Sequence, residues 1–122
     1  DSCEHALYQI DRLMSEVQWD SKIPVVPVLG SVLNPHLVEH VLREHEVHTV
    51  YHAAAYKHVP LMESNEFEGV TNNVFGTLSV AEASMKSGVE TFVLISTDKA
   101  VRPANMMGAS KRLAELILQA LH

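Results

Sequence analysis

Residues 91–97 read TFVLIST, and the unbroken apolar run from Phe92 to Ile95 decides the fold. A strand with one wet face alternates polar and apolar side chains. A strand covered by helices on both faces does not, and that is the strand of a parallel sheet. The flanking residues agree with this reading. Before the run, a helix is expected from about Phe67 to Ser87, with Val70, Val74, Leu78, Ala81 and Met85 on one face. Gly88 is placed to close it in the left-handed conformation. After the run, a loop with Pro103 leads to a last helix, whose core stripe is expected at Leu113, Leu116, Ile117, Ala120 and Leu121.

Further upstream the same alternation of elements continues. VHTVYHAAA, residues 47–55, reads as a second strand, followed by a polar loop with Lys57, His58 and Pro60. IPVVPVLG, residues 23–30, reads as a short strand, and Pro27 assigns it to an edge because proline cannot donate to a ladder. Asn34-Pro35 is an N-cap followed by proline at the first helical position, opening a helix to about Glu44. Apolar spacing from Ala6 to Val17 predicts an amphipathic helix over about Cys3–Gln18. The order αβαβαβα, with short connections, predicts an α/β fold with a parallel sheet and right-handed crossovers. In such sheets ligands bind outside the carboxyl ends of the strands. Those ends are Gly30-Ser31, Ala53–His58 and Ser96–Lys99.

Composition narrows the function classes. The 122 residues carry a net charge of −6 spread along the chain, which argues against nucleic acid as a partner, because phosphate binding needs a concentrated basic face. A single cysteine, Cys3, permits no disulfide within the chain and points to a reducing compartment. No apolar run approaches the roughly 18 residues of a membrane span, so this segment is expected to make no membrane contact. The chain opens without Met and stops inside a helical pattern, as expected of a piece of a larger protein.

Among the strand ends, STDKA at residues 96–100 is the richest. Thr97 can bond a substrate oxygen, and Asp98 and Lys99 can serve as acid and base if their pKa values are moved apart. Taken alone, a polar loop with a surface Asp–Lys pair is the commoner meaning of such a stretch. Met107 and Lys111, four apart, share one helical face that turns toward the strand ends. They read either as a core methionine beside a snorkelling lysine, or as a lysine that grips the ribose of a dinucleotide. His36 and His40 flank Glu39 without a third ligand, so no metal site is expected. His52, inside a strand, is expected to be buried. No G-x-G-x-x-G loop occurs among the glycines, so the pyrophosphate cradle of a Rossmann fold lies outside these residues.

HAAAYKHVPLMESN, NNVFGT and FVLISTDKAVRPANMMGASKR, taken together, closely resemble the nucleotide-sugar 4,6-dehydratases of bacterial polysaccharide biosynthesis. These belong to the extended short-chain dehydrogenase/reductase superfamily. The nearest resemblance is to the large membrane-anchored UDP-N-acetylglucosamine 4,6-dehydratases of O-antigen and capsule pathways, and it covers nearly the whole chain. It implies a partial NAD(P)-binding Rossmann domain over residues 1–122, lacking the first two strands and the Gly-rich loop. In the implied strand order 3-2-1-4-5 those strands lie between the 23–30 and 47–55 strands. The resemblance implies NAD or NADP as cofactor and UDP-N-acetylglucosamine or a related UDP-sugar as substrate. The parent protein would be cytoplasmic, or anchored in the inner membrane with this domain on the cytoplasmic side.

The same resemblance implies the site. Ala53, Ala54 and Ala55 would pass under the cofactor, and Lys57 and His58 would border cofactor and sugar. Asn73 would fix the strand-end backbone. Ser96 and Thr97 would face the nicotinamide and the sugar O4. Asp98 would act as acid toward the departing 6-hydroxyl and Lys99 as base at C5, an assignment the residues themselves leave open. Lys111 would hold the nicotinamide ribose. Met107 stands where smaller relatives carry tyrosine, and Ser31 where many carry an aspartate near the adenine. The implied reaction moves hydride from C4 to the cofactor, removes water across C5–C6 and returns hydride to C6. The alternatives are another extended short-chain enzyme, such as a UDP-sugar epimerase, and a non-catalytic α/β binding module. The 122 residues alone are expected to be inactive. Two unpaired sheet edges would invite re-pairing of VVPVL beside TVYHAAA, or self-association.

Overall fold

The computed structural model describes residues 1–17 and 24–121, which form two compact units, Asp1–Ser31 and Val32–His122. The sequence points to one partial domain; the units are described in turn.

In the first unit, α1 spans Glu4–Glu16. Its apolar face is less covered than its pattern implies, since Ile10 and Leu13 are exposed. The strand expected at residues 23–30 is not formed: residues 24–30 carry no strand, and Ile23 lies outside the described residues. The physical reason is the ladder. Pro24 and Pro27 have no N–H to donate, and a strand exists only where a neighbour accepts its bonds. A trace of the pairing remains. The Asp1 amino group donates to Val28 O at 3.1 Å, and Gly30 N–H donates to Asp1 O at 2.9 Å. These two bonds straddle Leu29 as the bonds of a parallel ladder do.

In the second unit, Asn34 caps α2 (Pro35–Glu44) by accepting from Leu37 N–H at 3.1 Å. β1 (Thr49–His52) and β2 (Thr91–Leu94) pair in parallel, with His52 opposite Leu94. Among the described residues the sheet has these two strands. Both strands are shorter than the apolar runs that contain them. Residues 59–64, expected as loop, form the short helix α3 (Val59–Ser64), with Pro60 in its first turn.

The expected long helix is continuous but not uniform. It runs as α4 (Glu66–Val70), a π-helical turn (Thr71–Phe75) and α5 (Gly76–Lys86). Gly88 follows with φ of 75°, the left-handed closure. After β2, a 3-10 turn (Asp98–Ala100) leads to α6 (Met106–Leu121).

The buried face of α6 differs from the expected leucine stripe. Leu113 and Leu116 are exposed, while Met107, Gly108, Ser110, Lys111 and Ala114 are buried. Small and polar residues face inward because α6 approaches the polypeptide backbone closely at its start. A Cβ added to Gly108 would fall on the Lys99 carbonyl oxygen.

Candidate functional site

The candidate site residues lie at the carboxyl ends of β1 and β2, where ligands bind in a parallel α/β sheet. At the end of β2, Ile95 N–H donates to His52 O at 3.0 Å, continuing the ladder one residue beyond the strand. The Ile95 carbonyl then accepts from Lys111 Nζ at 2.6 Å. Lys111 is only 6% exposed. Burial pushes the pKa of its ammonium down, and the Glu115 carboxylate pushes it back up. An ammonium has three N–H donors, so the bond to Ile95 leaves donors for a ligand's hydroxyls.

The next residues form the 3-10 turn, in which Asp98 and Lys99 are exposed and Ala100 is buried. Thr97 caps it, its Oγ1 accepting from Lys99 N–H at 3.4 Å while donating to Asp98 Oδ1 at 3.0 Å. Lys99 Nζ stands 3.4 Å from the same oxygen. The Thr97 hydroxyl, and after it the Lys99 ammonium, hold the Asp98 carboxyl below its usual range. Asp98 is therefore a carboxylate at neutral pH. Ser96 is exposed, and its hydroxyl donates to Glu115 on α6 at 2.5 Å.

The end of β1 is held from the opposite side. Asn73, 1% exposed, accepts Tyr56 N–H at 2.7 Å and returns an N–H to Tyr56 O at 3.0 Å. Its second amide hydrogen goes to Ser110 Oγ at 3.0 Å, and Ser110 donates to Met107 O at 2.8 Å. One buried amide thus ties the loop after β1 to α6. That loop carries Ala53, Ala54 and Ala55, then Lys57 and His58. Residues 55–58, with Leu61, Met62, Asn65 and Glu68, line a cavity of about 380 Å³. Tyr56 turns its phenol to Glu68 Oε1 at 3.3 Å; partial burial, then Glu68, raises its pKa.

His52 is buried beneath these elements and sits 3.0 Å from Thr77 Oγ1. Thr77 spends its one hydroxyl hydrogen on Asn73 O at 2.7 Å. The network therefore assigns the His52 proton to Nε2, which donates to Thr77. Burial, and after it the Lys111 charge, lower the His52 pKa to about 4, so the ring is neutral at pH 7.

The structure brings Ser96, Thr97, Asp98, Lys99 and Lys111 to one strand end. It places Ala53–Ala55, Lys57 and His58 at the neighbouring end. Met107 is buried at 5% exposure, one turn before Lys111 on α6. Sequence reasoning passed over Glu63, Ser110 and Glu115. Glu63 Oε1 accepts the Met106 N–H at 2.6 Å and so holds the start of α6. Glu63 is 43 residues from Met106, and nothing local marks it. Glu115 had a signal, its i,i+4 spacing from Lys111.

A nicotinamide dinucleotide fits this half of a site. Ala53–Ala55 have no side chain beyond Cβ to obstruct close approach. Lys111, bonded to Ile95 O, keeps further N–H donors that would hold a ribose hydroxyl. No Gly-rich cradle for the pyrophosphate occurs in these residues. Among the described residues no group of three His, Cys, Asp or Glu could hold a metal ion. His40 instead pairs with Glu44 at 2.9 Å and Arg43 with Glu39 at 2.7 Å. No helix among the described residues is long and apolar enough to cross a membrane.

The model of the family described as "Polysaccharide biosynthesis protein" matches residues 1–122. The chain is 46% identical, over 98% of its length, to the capsular polysaccharide biosynthesis protein CapD of Staphylococcus aureus, and covers 20% of that protein. It is 36% identical, over 75% of its length, to a UDP-N-acetylglucosamine 4,6-dehydratase (inverting) of Campylobacter jejuni, covering 27% of it. It superposes on UDP-glucose 4-epimerase from Bifidobacterium longum, solved with NAD+ and UDP, with a TM-score of 0.80. That superposition covers 98% of the chain and 38% of the epimerase, at 23% identity, and shows the fold. The chain thus spans between a fifth and about a quarter of these two curated relatives. With the family model matched end to end, the chain belongs to the polysaccharide biosynthesis protein family.

Proposed function

We propose that the protein carrying this chain is a nucleotide-sugar 4,6-dehydratase. It takes UDP-N-acetylglucosamine or a related UDP-sugar, with NAD or NADP, to a 4-keto-6-deoxy sugar. The observation that carries the reading is the Thr97-Asp98-Lys99 turn set beside Lys111 at the carboxyl end of β2. Likeness to the Campylobacter 4,6-dehydratase supports it.

The cofactor, when bound, supplies the acceptor and donor of hydride. The chain's own residues do the rest. Lys111, anchored on the Ile95 carbonyl, orients the nicotinamide ribose. Thr97 bonds the sugar O4. Asp98 and Lys99 handle the protons at O6 and C5. In the open turn Asp98 is a carboxylate, so for the acid role it must gain a proton as the sugar covers it and desolvates its charge. Lys57 and His58 border the sugar from the β1 side. Met107 has no exchangeable proton, which leaves O4 deprotonation to other groups.

Mass spectrometry of the product formed from UDP-N-acetylglucosamine by the full-length protein tests the reading. Loss of one water supports it, and Asp98→Asn should reduce turnover by about 100-fold or more. A product isomeric with the substrate would instead establish an epimerase, a reading that 44% identity over 71% of the chain to UDP-glucose 4-epimerase of Rickettsia canadensis favours.

A further inference from the structure

We propose that Glu115 is a positioning residue for Lys111. It locks the end of β2 to α6 through Ser96 and sets a fixed negative charge one helical turn from the buried ammonium. The proposal rests on the reading in which Lys111 holds the cofactor ribose.

The geometry is specific. Glu115 Oε1 takes the Ser96 hydroxyl at 2.5 Å, and Oε2 takes Arg112 Nη1 at 2.8 Å. The Ser96 bond spans 19 residues and joins the two elements that carry the candidate site. It also limits Ser96. A serine has one hydroxyl hydrogen, and this one is spent, so Ser96 can only accept from a ligand.

The charge has a purpose at Lys111. The Ile95 carbonyl satisfies one N–H of the ammonium but neutralises nothing. The other groups around α6 do not supply a countercharge. His52, from β1, is neutral. Asp98 and Lys99, in the 3-10 turn, pair with each other. Arg112 is taken by Glu115 itself. The acidic residues of α3, α4 and α5, Glu63, Glu66, Glu68 and Glu82, are all exposed, as is Lys86. Glu115 is the carboxylate that favours the Lys111 charge. The Ser96 hydroxyl, and next Arg112, keep it ionised by lowering its pKa.

The test uses the full-length protein and follows retention of reduced cofactor by its fluorescence as pH is raised. Glu115→Gln keeps the shape and removes the charge. It should release cofactor at lower pH than the parent, with roughly tenfold weaker retention on the alkaline side, where the parent still holds it. Ser96→Ala, which leaves the charge, should weaken retention at every pH without moving the pH dependence. Release curves of Glu115→Gln that superimpose on the parent's would overturn the proposal. Should Glu115→Gln not fold, Ser96→Ala decides, and unchanged retention in it overturns the proposal. Lys111→Ala separates the two ideas: if it retains cofactor as the parent does, the ribose reading itself fails.

Discussion

His52 shows how one residue's burial becomes a pH dependence. Its folded pKa of about 4 lies below the ordinary value of 6.5. Above pH 6.5 the ring is neutral in both folded and unfolded chains. Between 6.5 and 4 the unfolded chain takes up a proton that the folded one refuses, so stability falls as pH falls through this window. The full loss is ~3 kcal/mol. Denaturant titrations across that window should show this slope flattened in His52→Gln, which keeps a donor for Thr77. Asn73 is a second case. Asn73→Ala would strand the Tyr56 N–H and carbonyl, and a melt should show a loss of ~3 kcal/mol. The two residues differ in legibility. A histidine in an apolar strand announces burial. The partners of Asn73 lie 17 and 37 residues away and leave no local mark.

At the scale of elements, the junction of α6 with the 3-10 turn carries the candidate site. Gly108 lets the helix start against the Lys99 carbonyl, and Asn105 Oδ1 accepts its N–H at 2.8 Å. Gly108→Ala must displace the Asp98-Lys99 turn or tilt α6, at about 1–3 kcal/mol. Turnover by the full-length variant should fall more than its melting temperature alone explains, because the turn and Lys111 move relative to each other. The π-helical turn at Thr71–Phe75 belongs to the same scale. π-turns interrupt α-helices frequently at functional sites, and this one presents Asn73 to the β1 loop and α6 together.

At the scale of the molecule, the 122 residues hold a strand-end chemistry without a phosphate cradle. The purified chain should therefore not turn over UDP-N-acetylglucosamine, which a product assay on the isolated polypeptide checks. Among the described residues the sheet has two strands, each with one edge outside its ladder, and such edges invite pairing. Light scattering of the isolated chain should show concentration-dependent association, and a clean monomer would exclude it.

The sequence by itself determined the parallel α/β order, the Asn34 cap, the Gly88 closure and the strand ends where the site lies. These follow from local pattern, capping and turn chemistry, which neighbouring residues dictate. Only the tertiary structure decided that residues 24–30 form no strand, because a strand depends on a distant ladder partner. It also decided that α6 buries Ser110, Lys111 and Ala114 rather than Leu113 and Leu116. The close approach at Gly108, the Ile95 carbonyl and the Asn73 amide select that face, and each is a contact made across the fold.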